Sequence, residues 1–202
     1  MNGRQSTVGS GRRAIASARA DRVMKPIFSY NQGMVASDKP KIYIESSTIS
    51  YLTARPTEEP IRKAKQILTR QWWQRRELFD MYISQTVVDE IRLGDKIAAG
   101  LRIDAVKGIP ILEIAPAIQP LAKALLRTGA IPVQSEADAV HIAYAAIHEL
   151  DILLTWNQKH IATDMKRRLI EAVILDFGLR LPRLLTPEQH LLSMENEHVH
   201  EH

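Results

Sequence analysis

The chain has 202 residues, 45% hydrophobic and 25% charged, enough apolar material for one buried core of ordinary domain size. It contains no cysteine, which excludes disulfides, zinc–thiolate clusters and thiol nucleophiles and leaves oxygen and imidazole as metal ligands. The net charge of +4 is unevenly placed: residues 1–40 hold seven Lys or Arg against two Asp, a net +5, so the remainder carries −1 and overall basicity does not mark the folded part as nucleic-acid-binding.

Residues 1–40 are rich in Gly, Ser, Arg and Ala and lack a sustained apolar period, which predicts a flexible basic extension. The Arg-rich, acid-poor stretch up to Val23 also has the composition of an organellar transit peptide, and Met24 or Met34 offers an alternative start. A dispensable extension is the expectation, because nothing in the rest of the chain asks for an organelle; with no apolar run of ~18 residues and no signal-peptide core after the N-terminus, the protein is expected to be soluble and not secreted, hence cytoplasmic.

From residue 41 the pattern becomes regular. Residues 41–45 alternate, with Ile42 and Ile44 on one face, and predict a short strand; 46–54 predict a brief helix. Pro60 opens the next helix at a position where its missing N–H costs nothing, with Ile61, Ala64, Ile67, Leu68 and Trp72 as its apolar stripe. Residues 81–84 form a second strand candidate, and Thr86 with Asp89 fits a capping box for the helix carrying Glu90. A helix from Asp95 stops before Gly108, and 109–114 is the third strand.

Pro120 and Gly129 bracket another helix, after which Ser135 and Asp138 stand three apart as N-cap and third residue of a helix over 136–150. Residues 152–155 are a wholly apolar fourth strand, placed at the middle of the sheet. A helix over 162–177, with Met165, Leu169, Ala172, Val173 and Asp176 on its inner stripe, ends at Gly178. A short strand at 183–185 and a helix capped by Thr186, Pro187 and Gln189 follow. The expected fold is a three-layer α/β/α sandwich around a central, mostly parallel sheet over 41–193, with 194–202 a disordered His-rich tail.

In a parallel sheet the C-terminal strand ends share one edge, so Glu45 after the first strand and Asn157 after the fourth face one crevice. Glu90 and Asp138, placed in first helical turns, approach the same edge. Carboxylates gathered in a partly dehydrated crevice repel unless a cation neutralises them, and hard oxygen ligands suit Mg²⁺ or Mn²⁺. Such an ion polarises a phosphodiester and activates water without a protein nucleophile. Singly, each acid has an ordinary role as a helix-end or surface charge; the ordered set carries the chemistry. No Gly-rich phosphate loop and no nucleophile-elbow serine compete with it.

The series YIESSTISYL, SQTVVDEI, EADAVHIAYA, LLTWNQKHI and LLTPEQ resembles a PIN domain, especially the VapC-type toxins of bacterial toxin–antitoxin pairs, over about residues 41–192. The resemblance implies a Mg²⁺- or Mn²⁺-dependent endoribonuclease, usually a homodimer, acting on RNA and inhibited by a cognate antitoxin protein. By position Glu45, Glu90 and Asp138 resemble the three metal-binding catalytic acids, Thr155 the supporting hydroxyl, and Asn157 the fourth metal-site residue.

Two positions depart from the family pattern: Glu45 stands where Asp is common, and the neutral Asn157 stands where an acid is expected. A rival is therefore a non-catalytic PIN-like module that binds RNA or protein. His141 and His160 are assigned hydrogen-bonded structural roles, Trp72 a core role, and Trp156 the best placement for stacking on a base. The terminal His198, His200 and His202 receive no specific role.

Overall fold

A strand with consecutive buried residues can only lie inside a sheet covered on both faces. β1 (Lys41–Ile44) is such a strand: Ile42, Tyr43 and Ile44 are all fully buried. With β2 (Asp80–Ser84), β3 (Ile111–Leu112), β4 (Ile152–Leu154) and β5 (Arg183–Leu185) it forms a five-stranded sheet of order β3-β2-β1-β4-β5, every neighbouring pair parallel. The middle of the sheet is thus β1, and β4 lies beside it rather than at the centre.

The computed structural model describes residues 37–158 and 163–199. Most of the basic extension, His160, the His198 side chain, His200 and His202 lie outside the described residues. Eight α-helices are described: α1 (Ser46–Thr53), α2 (Pro60–Trp73), α3 (Gln85–Ile91), α4 (Lys96–Ala105), α5 (Ile118–Arg127), α6 (Glu136–Ile147), α7 (Asp164–Asp176) and α8 (Pro187–Val199). α1 packs on α2, α3 and α4, and α2 on α8, while α5 packs on α6 and α7. The architecture is the expected α/β/α sandwich, with an all-parallel sheet. Among the described residues no helix is long and apolar enough to cross a membrane.

Several local signals act where the sequence places them. Gly108, Gly129 and Gly178 follow α4, α5 and α7 with φ of 83°, 71° and 72°, the left-handed conformation that a side chain resists. Thr186 and Gln189 form a reciprocal capping box, each backbone N–H donating to the other's side-chain oxygen at 3.0 and 3.1 Å.

Other expectations are corrected. The cap of α3 is Ser84, whose hydroxyl accepts from the Val87 N–H, and not Thr86. Ser135 is the N-cap residue of α6 but makes no side-chain cap bond, and Asp138 Oδ1 accepts from Asn157. β3 is shorter than 109–114; Ile111 and Ile114 are 53% and 72% exposed at the sheet edge. α8 runs past Ser193 to Val199.

The inner faces of two helices also differ from their hydrophobic stripes. α2 buries Gln66, Thr69 and Trp72 and exposes Ile61 and Ile67. Its buried polar groups have partners: Gln66 Nε2 donates to Arg55 O at 2.9 Å, and Thr69 Oγ1 to Lys65 O at 2.6 Å. α7 buries Ile170, Val173 and Ile174 while Met165 is 75% exposed.

Trp72 joins α2 to α8 by donating its indole N–H to His190 Nδ1 at 2.9 Å. This acceptor role requires a neutral imidazole. Burial, with the Arg183 charge added, pushes the His190 pKa down to about 4 from 6.5. Because the folded state resists the proton that the unfolded chain takes up, this stabilisation is complete above pH 6.5 and fades as pH falls toward 4. Thermal melts of the native protein and His190→Asn from pH 7 to 4 should show the native protein losing stability faster; parallel curves would refute the assignment.

Candidate active site

β1 connects through α1 and α2 to β2, on one side of the sheet, whereas β4 leads through α7 to β5 on the other. The strand order reverses between β1 and β4, and the chain segments leaving their C-terminal ends diverge there, which opens a crevice. The register Ile44↔Leu154 sets Glu45 beside Thr155 across that opening.

Glu45 is 6% exposed and serves as N-cap of α1. Oε1 accepts from Ser46 Oγ at 2.7 Å; Oε2 accepts from the Ser47 N–H at 3.0 Å, the Ser47 hydroxyl and Thr155 Oγ1 at 2.8 Å. The carboxylate thus turns back over its own helix terminus and meets Thr155, the residue after β4. Thr155, 2% exposed, also accepts the Asn157 N–H at 2.9 Å, so one hydroxyl ties Glu45 to the loop after β4.

Asp138, 8% exposed in the first turn of α6, accepts from Asn157 Nδ2 at 2.6 Å through Oδ1. A carboxylate at position 157 would repel Asp138 at this distance; the amide donates to it instead. Glu45, Asp138, Thr155 and Asn157 line one small cleft, together with His141, Ile142 and Leu153, of about 10 Å³. That is room for about one ion or water.

Glu90 does not line this cleft; it lies beside it, against His141. It is the sixth of the seven residues of α3, in the last turn rather than the first, and is 27% exposed at the side chain. His141 Nε2 donates to Glu90 Oε2 at 3.1 Å. The other ring nitrogen, Nδ1, lies 2.8 Å from Tyr43 Oη, which lies 2.6 Å from Ser84 Oγ. A hydrogen-bonded chain Ser84–Tyr43–His141–Glu90 therefore runs from the β2 end through the core to the cleft wall. Ligand atoms of Glu45, Glu90 and His141 all lie within 4.8 Å of one another.

The electrostatics follow from this packing. Burial pushes the His141 pKa down, but the Glu90 hydrogen bond and the charges of Glu45, Glu90 and Asp138 outweigh it and leave the imidazole above its ordinary value. Burial pushes Glu90 up, and hydrogen bonds from His141 and Ser46 together with the His141 charge bring it below the usual carboxylate value. Burial holds the Tyr43 phenol well above its usual value against the Ser84 hydrogen bond, so Tyr43 stays neutral.

Sequence reasoning placed His141 outside the catalytic set. It is hydrogen-bonded, as assigned, but it also stands in the cluster of potential ligands. The available signal was its position three residues after Asp138, on the same face of α6. Its buried partner Tyr43 lies 98 residues away in the chain and had no sequence signature.

Tyr43→Phe tests the chain of hydrogen bonds. It leaves Ser84 Oγ and His141 Nδ1 without their shared partner in a dry interior and should cost about 1–3 kcal/mol in denaturant unfolding. A variant as stable as the native protein would show that the phenol hydroxyl contributes nothing there.

Trp156, between Thr155 and Asn157 in the chain, does not itself line the cleft. Its backbone N–H donates to Ser47 Oγ at 2.9 Å and its indole N–H to Thr69 Oγ1 at 2.8 Å. Compared with known proteins, the chain matches no protein-family model and no curated protein.

Proposed function

We propose that the chain is a Mg²⁺- or Mn²⁺-dependent endoribonuclease that hydrolyses RNA phosphodiester bonds, the toxin of a toxin–antitoxin pair. The observation that carries the proposal is the convergence of Glu45, Asp138, His141, Thr155 and Asn157 on one cleft at the β1–β4 switch point, with the Glu90 carboxylate within 4.8 Å of ligand atoms of Glu45 and His141. The toxin assignment rests on the VapC-type resemblance, as do the homodimer, the cognate antitoxin and the cytoplasmic setting. Leu93, Ile97 and Leu101, 69%, 66% and 49% exposed, offer apolar surface around α4 for a protein partner.

The donor set fits a divalent cation: two carboxylates and an imidazole within 4.8 Å, with Asp138 and the Asn157 amide on the adjoining cleft. When bound, such an ion would polarise a phosphodiester and lower the pKa of a water molecule. Glu45, Glu90 and Asp138 are the residues to hold it. Thr155 fixes the Glu45 carboxylate, and Asn157 fixes the Asp138 rotamer. When protonated, the His141 ring, paired with Glu90, offsets part of the negative charge gathered there.

A second reading is favoured by one specific feature. Four donors already occupy the Glu45 carboxylate, and Asn157 adds no charge, an arrangement that suits a non-catalytic RNA- or protein-binding module. Incubation of a structured RNA such as tRNA with Mg²⁺ or Mn²⁺, alongside EDTA, separates the two. Discrete cuts lost in EDTA establish the nuclease; bound but uncut RNA in both metals establishes the module.

A further inference from the structure

Next to the cleft the structure holds a lysine between two aromatic rings. Lys65 Nζ lies 5.3 Å from the Tyr51 ring centroid and 5.1 Å from that of Trp156. The two rings meet edge to face at 5.8 Å and 63°. Trp156 is fixed by bonds to Ser47 and Thr69, and its chain neighbours Thr155 and Asn157 hold Glu45 and Asp138. The cation is thereby connected to both acids of the cleft through one rigid residue.

The charge around Lys65 is equally specific. α2 has the sequence PIRKAKQILTRQWW, with Arg62, Lys63, Lys65 and Arg70 and no acid, whereas residues 41–202 as a whole carry a net charge of −1. Lys63 pairs with Glu58 at 3.0 Å and Arg70 donates to Ala54 O at 3.0 Å. Among the described residues no carboxylate pairs with Lys65. Arg62, exposed, lies one turn before it on the same helical face. Aromatic faces attract an ammonium but leave it its full charge and N–H donors, and a lysine already confined between rings loses little further entropy when it binds.

We infer that Lys65, clamped by Tyr51 and Trp156, is a phosphate-positioning residue that holds the RNA backbone next to the Glu45–Asp138 cleft. The inference rests on the ribonuclease reading and gives that site its substrate contact: a backbone phosphate flanking the one attacked, with Arg62 extending the cationic track along α2. Contacts of this kind position a strand without reading its sequence.

The test uses fluorescence anisotropy with a single-stranded RNA oligonucleotide across a salt series. The full chain carrying Asp138→Asn is compared with the same chain also carrying Lys65→Gln or Lys65→Arg. Lys65→Gln should weaken binding about 10-fold at low salt and reduce the slope of log K against log salt by about 0.7, one phosphate contact, while Lys65→Arg retains both. In the cleaving protein Lys65→Gln should raise KM with kcat little changed. Unaltered affinity and slope in Lys65→Gln would overturn the inference and leave the lysine a clip for the aromatic pair, with metal-dependent cleavage still standing. Absence of both RNA binding and cleavage in the unsubstituted protein would overturn the ribonuclease reading and this inference together.

Discussion

Asp138→Asn should lower metal-dependent RNA cleavage by about 100-fold or more while the protein stays folded, since deleting one group that holds a catalytic ion or stabilises developing charge costs about 10²–10³ in rate. The substitution conserves shape and removes charge. The Asp138 side chain is almost fully buried at the cleft and is oriented by Asn157 at 2.6 Å, so little else can take its place. Its loss also removes one of the negative charges gathered there, which offsets the cost of turning the Asn157 amide; the midpoint of thermal unfolding should move by no more than a few degrees. Rates measured with Mn²⁺, with Mg²⁺ and after EDTA, together with a thermal melt, check both parts. Cleavage that survives Asp138→Asn unchanged would place the chemistry elsewhere, whatever the metal dependence.

Trp72→Ala should cost about 3–5 kcal/mol of stability, the range for truncating a fully buried large aromatic side chain. Trp72 is completely buried, stacks on Phe79 with ring centroids 5.5 Å apart and 6° between planes, and donates to His190 across the α2–α8 contact. For a domain of this size that loss lowers the unfolding midpoint by about 10 °C. Trp72→Phe keeps most of the apolar contact but leaves His190 Nδ1 without its donor, so a smaller loss of about 1–3 kcal/mol is expected. Urea unfolding with an unchanged m-value measures both. Equal losses in the two variants would mean that packing of the indole, not its area, dominates the site.

Much of this molecule is legible in its residue order. The strand–helix alternation follows from the period of apolar residues, and Gly108, Gly129 and the Thr186–Gln189 box mark boundaries through chemistry confined to a few adjacent residues. Glu45 and Asn157 can be brought to one edge from topology alone, because every strand of a parallel sheet ends on the same side. The buried faces of α2 and α7 escaped the same reasoning. A hydrophobicity stripe passes over Gln66 and Thr69, whose burial is allowed by partners in the loop after α1 and in the preceding helical turn.

What the sequence alone determined is the class of fold, the strand ends and the acids placed near them, since those depend on local propensity and on spacing along the chain. Only the tertiary structure decided how the acids are held. Glu90, in the last turn of α3, is held beside the cleft by His141 from 51 residues away; Tyr43 bonds His141 from 98 residues away; and Trp156 is anchored by Thr69 across 87. Each is a polar contact made after the sheet has closed its long loops, and its energy depends on distance and burial rather than on residue type. No pattern within a short window of sequence encodes such a pairing, whereas the assembled sheet places both partners within reach.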